Sequence, residues 1–451
     1  MTHKQKAAFI GFGEINTPKE EIENNLKAAK NELEKLGIEL ITTDYVYDDL
    51  ERQEAERAVA ELKNKEFDFL VVCVAGWIPT YTIIRVISEF SHKPMLLWGL
   101  TGYYENGKML TTASQAGTTA LRKPMEDLGY KFKYVYSTID SGSPLKKIES
   151  FCKAAKAVEL LKHSRIGQMG FRDMKLYGTM FDGVSLRAKI GPEIEFFEML
   201  EMAQRMEKLD KKEVQKVVEK AKSTWTSDKP INEEVFKKSA DLYLAVRQKV
   251  EEENYEAVSL VDVDGVKKLL KFPPSGALML LADEMNLCTI PENDVLGNVT
   301  QLITKYLTGQ IGAYFEFYEF MEDRVLVGVP DYVPGEVIDG PNKVVSVVFG
   351  LLNEGILNIS KVKTGTVTLC RLTSKGDKYS LHMVTGKAVE PRKWGEIGWE
   401  GGPQPPSLEV ILDSSVENFA EKVASQHYIL SYGDNTELFR DLCKLLDIEI
   451  Y

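Results

Sequence analysis

Apolar residues follow two alternating rhythms along the first third of the chain. Residues 7–11 form a short apolar run that ends in glycine. Residues 19–36 then place Ile22, Leu26, Ala29, Leu33 and Leu36 at helical spacing on a charged background. The pairing repeats. Strand-like 38–45 precedes helical 50–64, and the continuous apolar run 67–75 precedes helical 80–90. Residues 94–100 precede 114–128, and 131–137 precede the long helical stretch 144–163. Strands alternating with helices of this length predict a parallel sheet covered on both faces, in an N-terminal α/β domain over residues 1–164.

A second cycle opens at 164–171. Helices are expected over 194–209 and 232–253, a strand over 257–263 and a helix over 276–287, with the charged stretch 208–222 as a solvated helix face. This predicts a second α/β domain over 165–309. The rhythm changes near residue 310. Short β-type runs at 313–320, 325–328, 343–349, 366–372, 379–386 and 408–412 follow one another with turn signals between them and no helices. A helix (416–424), a strand (428–431) and a last helix (435–446) close the chain. The fold class expected is α/β: two parallel-sheet domains, then an antiparallel, barrel-like C-terminal domain over 310–451.

Composition narrows the partners. The chain has 451 residues, enough for two or three domains, and a formal charge of −12. An acidic chain without a basic cluster is a poor match for nucleic acid or an anionic membrane surface. The longest apolar run, 69–79, is too short to span a bilayer, and the first residues carry no signal-peptide pattern. The five cysteines are scattered, with no CxxC pair, so a cytoplasmic protein with reduced thiols is expected.

Few motifs carry chemistry. Gly11-Phe12-Gly13-Glu14-Ile15-Asn16 is half of a dinucleotide fingerprint, and with Asn16 in place of the third glycine it reads as a tight turn after the first strand. GxxxxGK[ST], HExxH and GxSxG are absent from the sequence. Pro291-Glu292-Asn293-Asp294 precedes apolar residues at Val295, Val299, Ile303 and Leu307, which puts both acids in the first turn of a helix, where they also complement its dipole. Ala313–Phe320 is an aromatic strand that contains Glu316 and Glu319. Alternation puts Glu316 with Tyr314, Tyr318 and Phe320, and Glu319 with Phe315 and Phe317. A carboxylate buried there needs a partner, a metal or a base, and Glu316 is favoured over Glu319. Of the five histidines, His427 stands at the start of a short strand. His3 is terminal, His92 lies in a polar turn, His163 ends a helix and His382 lies mid-strand.

In their order along the chain these segments resemble the L-fucose isomerase and L-arabinose isomerase superfamily. The matching parts are Glu292-Asn293-Asp294 opening a helix that ends in Thr308-Gly309, Glu316 on an aromatic strand, and His427 before Tyr428-Ile429-Leu430-Ser431-Tyr432-Gly433-Asp434 and a last helix. The arabinose-isomerase branch has a further histidine where this chain has Gly328-Val329-Pro330-Asp331. That favours the fucose-isomerase branch, which itself carries Asp where Glu316 falls. The resemblance implies two Rossmann-like domains before the β-rich one, and a metal-dependent aldose–ketose isomerase. Glu292, Glu316 and His427 would hold Mn²⁺, or Mg²⁺ or Co²⁺, with the two carboxylates also serving as acid and base. It further implies a sugar substrate (a hexose, pentose, deoxy-sugar or sulfo-sugar such as sulfoquinovose). The protein would be a homo-oligomer, a trimer or hexamer, with the active site near a protomer interface. Trp77, after the 67–75 strand, and Trp394 and Trp399, in a Gly-rich loop, are the candidate sugar-binding aromatics. The alternative is a non-catalytic sugar-binding or regulatory protein on the same scaffold.

Overall fold

The computed structural model describes residues 4–329, 331–348, 354–392 and 406–451. The chain divides into two compact units: Met1–Glu159 with Glu437–Asp447, and Leu160–Thr436 with Ile448–Tyr451.

In the first unit, strands β1 (Lys6–Phe12), β2 (Glu39–Thr42), β3 (Phe69–Val74) and β4 (Met95–Gly99) are followed by a small hairpin, β5 (Tyr103–Glu105) and β6 (Lys108–Leu110), and then by β7 (Phe132–Tyr136). The sheet order is β2-β1-β3-β4-β7, parallel throughout. Every residue of β3 is buried, which explains why its sequence is an unbroken apolar run rather than an alternation. The Gly11–Gly13 turn is a packing device: a Cβ at Gly11 would overlap Leu26, and one at Gly13 would overlap Ile22, both on the helix Lys19–Lys35. The terminal helix Thr436–Leu446, assigned from sequence to the last domain, has its residues from Glu437 onward in this first unit. Its Asp441 accepts from Lys133 Nζ and Ser150 Oγ, each at 2.6 Å.

The second unit opens with β8 (Arg165–Met169), β9 (Glu193–Phe197), β10 (Ala257–Leu260) and β11 (Cys288–Ile290), a parallel sheet in the order β11-β10-β8-β9. Two expectations are corrected here. The helix expected over 194–209 begins only at Met199, because residues 193–197 pair with β8 as a strand. The strand expected over 257–263 stops at Leu260 and gives way to a π-helix, Asp262–Leu270, a form often found at functional sites.

The chain then forms β12 (Ala313–Phe320), β13 (Arg324–Gly328), a hairpin of β14 (Val344–Val348) and β15 (Glu354–Asn358), β16 (Gly365–Lys375), β17 (Lys378–Val389), β18 (Ser407–Leu412), β19 (His427–Tyr432) and β20 (Glu449–Ile450). Six of these close on themselves in the order β12-β13-β18-β17-β16-β19, each neighbour antiparallel, so the expected β-rich region is a closed barrel. Phe315, Val327, Leu369, Val410 and Leu430 are among the residues that fill its core. Residues 165–309 and 310–436, read from sequence as parts of separate domains, both lie in this unit. The helix Val295–Thr308 joins them: it packs on β10 and β11 on one side and on β16 and β19 on the other. From Val295 to Thr304 it is buried all round, so it buries Asn298, Thr300, Gln301 and Thr304 as well as its apolar residues. Among the described residues no helix is long and apolar enough to cross a membrane.

Candidate functional site

The turn between β11 and the helix Val295–Thr308 is strained. Glu292 and Asn293 both adopt left-handed backbone angles, φ 67° and 54°, which side-chain-bearing residues rarely take. Asn293 fixes the turn. Its backbone N–H donates to Leu260 O at 3.1 Å and its side-chain amide to Met169 O at 2.9 Å, so it ties the turn to the C-terminal ends of β10 and β8. The expectation that both acids lie in the first helical turn is therefore corrected. Asp294 is the N-cap, accepting from Gly297 N at 3.0 Å, and Glu292 stands before the helix altogether.

The two acids meet different surroundings. The Asp294 carboxylate takes both Nη atoms of Arg371, with Nη2 at 2.8 Å, and the Tyr314 hydroxyl at 2.8 Å. All three residues are buried. Gly297 permits the approach, because a Cβ there would lie 2.6 Å from Asp294 Oδ2 and 2.8 Å from Arg371 Nη1. Burial opposes the charge on Asp294, but the Arg371 guanidinium and the Gly297 N–H outweigh it and hold the carboxyl below its ordinary range. Glu292 has no such partner. Among the described residues its buried Oε2 has no hydrogen-bond donor. Burial, and then the carboxylates of Asp262, Asp331, Glu316 and Asp173, push its pKa up to about 9.

Glu292, Glu316 and His427 come together. Glu316 and His427 are cross-strand partners on β12 and β19, which places their side chains on one face. Glu316 Oε2 lies 3.7 Å from His427 Nε2, and Glu292 Oε2 lies 3.8 Å from His427 Nδ1. The Tyr314 ring stacks on the imidazole, with centroids 4.2 Å apart and planes 14° from parallel. Burial drives the His427 pKa down to about 3, and the opposing pull of Asp294 does not offset it, so the ring is neutral and its contacts with the carboxylates are not ion pairs. Burial and Asp331 raise Glu316 against a lowering effect of Lys267. Strand alternation fails beyond this point. A bulge falls between Phe317 and Glu319, and Glu319 is exposed.

The donor chemistry fits a divalent cation: two carboxylates and a neutral imidazole, with one buried carboxylate oxygen that no protein donor serves. The spacing is open. Oxygen and nitrogen ligands on an ion at ~2.1 Å stand about 3 Å apart, whereas here the two carboxylates approach opposite nitrogens of one ring at 3.7 and 3.8 Å. Among the described residues no three His, Cys, Asp or Glu side chains stand at ready coordination spacing.

Sequence reading missed several neighbours. Lys267 Nζ bridges Asp262 Oδ2 at 2.7 Å and Asp331 Oδ1 at 2.8 Å, and all three residues are buried. Asp173 pins the loop after β8 by accepting from the backbone N–H groups of Val263 and Asp264, each at 2.7 Å. The available signals were Asp262 just past the C-terminal end of a parallel strand, where α/β sheets collect ligand contacts, and Arg371 as a lone charge inside the apolar run Leu369–Leu372. Trp77 lies in the first unit after β3, 40% exposed, with its backbone N–H on Thr112 O at 2.8 Å. Trp394 and Trp399 lie outside the described residues.

No protein-family model matches the chain, and no curated protein does. Solved structures are similar to it only distantly. An isoflavone reductase is 12% identical over 46% of this chain and 84% of its own, with a TM-score of 0.20. A periplasmic solute-binding protein of an ABC transporter from Actinobacillus succinogenes, with bound D-allose, is 11% identical over 67% and 92%, with a TM-score of 0.18. The periplasmic component of the arabinose ABC transporter from Shewanella, bound to L-arabinofuranose, is 12% identical over 67% and 86%, with a TM-score of 0.17. TM-scores this low assign no activity.

Proposed function

We propose that this chain is a metal-dependent aldose–ketose isomerase of the L-fucose isomerase-like type, with Glu292, Glu316 and His427 at its centre. The observation that supports this reading best is a neutral imidazole seated between two carboxylates, one of which has a buried oxygen without a protein donor. Glu292, Glu316 and His427 would hold Mn²⁺, or Mg²⁺ or Co²⁺ in its place, and the ion would supply Lewis-acid stabilisation of the charge that develops on sugar O1 and O2.

The residues themselves move protons and hold geometry. Interconverting an aldose and a ketose takes a proton from C2 and returns one to C1 through a cis-enediol, while a second proton passes from O2 to O1. Glu292 and Glu316, on either side of His427, are the acid–base pair for these transfers. His427 stays neutral throughout, because burial keeps its pKa far below neutrality. Tyr314, stacked on the ring and anchored to Asp294, holds the plane of the imidazole. The two parallel sheets are then the Rossmann-like domains of a cytoplasmic homo-oligomer, and Trp77, acting in trans on the centre of a neighbouring protomer, is the candidate aromatic for stacking on the sugar.

The test is a panel of pentoses, hexoses, deoxy-sugars and sulfo-sugars assayed after chelation and again with Mn²⁺. The expected result is no turnover after EDTA, recovery with Mn²⁺, and neither binding nor turnover in His427→Ala. A fully active metal-free preparation would sink the reading.

A further inference from the structure

Beside the carboxylates of the proposed centre lies a second buried group that the isomerase chemistry does not use. Asp262 opens the π-helix Asp262–Leu270 after β10, and Asp331 follows β13. In a π-helix the hydrogen bond runs from residue i to i+5, as Val266 N to Val261 O does here at 3.0 Å, so residues five apart stand one turn above each other. That geometry puts Lys267 directly on Asp262. Its Nζ lies 2.7 Å from Asp262 Oδ2 and 2.8 Å from Asp331 Oδ1, with Ser275 Oγ a further 3.4 Å contact of the same Asp331 oxygen. Lys267 is 2% exposed, Asp262 0% and Asp331 2%.

Two features distinguish this group from an ordinary buried ion pair. It gathers two carboxyl groups on one ammonium. Among the described residues Asp262 Oδ1 is also buried with no hydrogen-bond partner, which leaves a spare oxygen ligand inside the cluster. Two carboxyl oxygens grip one nitrogen at 2.7 and 2.8 Å, and an oxygen-liganded divalent cation, at ~2.1–2.6 Å per bond, would draw the same two oxygens closer together. The ammonium stands where such an ion would go. Asp262 and Asp331 are also the first two charges to act on Glu292.

We infer that Lys267 is a resident counter-ion that keeps the Asp262–Asp331 pair from taking a second divalent cation, so that the centre at Glu292, Glu316 and His427 works with one. The inference rests on the metal reading of that centre, and the test separates the two. Chains stripped with EDTA are dialysed against Mn²⁺ alone. Bound manganese is counted by elemental analysis, and its paramagnetic resonance spectrum is recorded. The wild type should bind one ion per chain with an unbroadened six-line signal, and so should Lys267→Arg. Lys267→Ala should bind two, with the signal broadened by a close neighbour. A folded Lys267→Ala that still binds one ion overturns the inference. If Lys267→Ala folds only when refolded with Mn²⁺, recovery with two ions per chain supports the inference. Recovery with one ion, or no recovery, overturns it. A wild type that binds none removes the metal reading of the His427 centre. In that event one ion in Lys267→Ala still sustains the role of Lys267, and none in either chain refutes both.

Discussion

Two sets of buried polar side chains in the second unit end in opposite states. Asp294 is saturated: a bidentate guanidinium, a tyrosine hydroxyl and a backbone N–H serve its two oxygens. His382, buried on β17, has the Tyr428 hydroxyl at 2.6 Å from Nδ1. Glu292, two residues from Asp294, feels the charges of neighbouring carboxylates and stands 3.8 Å from the ring of His427, and among the described residues no donor serves its buried Oε2. Satisfied polar groups hold a fold together, whereas buried acceptors without donors cost free energy and persist where a ligand completes them. The first group therefore reads as structure and the second as a site.

The most severe way to break this contrast is to neutralise the acids one at a time. Glu292→Gln should lower isomerase turnover on the order of 10²–10⁴-fold, the usual loss of an acid–base group. It should leave the metal-free fold as stable as before or more so, since it removes a buried carboxyl that its neighbours repel. Arg371→Met should do the reverse, costing about 3–5 kcal/mol of stability because the Asp294 charge is left buried without its partner. Urea unfolding beside the sugar assay reads both. Equal destabilisation by the two variants would erase the distinction.

The histidines offer a comparison through pH. Burial, with Lys422 nearby, pushes His382 down to about 4 from an ordinary 6.5. The unfolded chain therefore binds the proton first. Stability from this group is complete above pH 6.5 and declines as pH falls towards 4, by as much as about 3 kcal/mol. His382→Asn should flatten that decline in denaturant titrations from pH 7 to 4.5, with or without Mn²⁺. A decline unchanged in the variant would place the acid sensitivity elsewhere.

Mn²⁺ itself should act on one group alone. At a hundred times its Kd the ion should raise the unfolding free energy by about 2.7 kcal/mol. His427→Ala should abolish this gain, whereas His382→Asn should keep it. Thermal melts of the three chains with and without Mn²⁺ decide the point.

Much of the fold was legible in the sequence because its elements announce themselves by period. Alternating strand and helix runs gave the parallel sheets, and consecutive short strands gave the barrel. The failures are local and share a physical cause. The 193–197 strand is only partly apolar, so its Ile194 and Phe197 fit a helical count as well as an alternating one. The π-helix Asp262–Leu270 has a period that neither rule counts. For the site, residue order along the chain pointed to Glu292, Glu316 and His427, and β12–β19 pairing brings the last two face to face. The left-handed turn at Glu292 and the Arg371–Asp294 and Lys267–Asp331 pairings lay beyond reach, since each depends on segments 64 or more residues apart or on a backbone angle that no side chain advertises.

The mildest change probes the one residue that belongs to both groups. Tyr314 donates its hydroxyl to Asp294 and lays its ring on His427. Tyr314→Phe keeps the ring and deletes the hydrogen bond. Arg371 and Gly297 still serve Asp294, so the loss should be about 1 kcal/mol of stability. If the ring alone positions the imidazole, Mn²⁺ affinity and sugar KM should remain at wild-type values in this variant, whereas Tyr314→Leu, which loses the stacking as well, should weaken the ion. A Tyr314→Phe chain with wild-type stability but weakened Mn²⁺ binding would mean that the hydroxyl, through Asp294, governs the open group. The saturated cluster would then be part of the site rather than its frame.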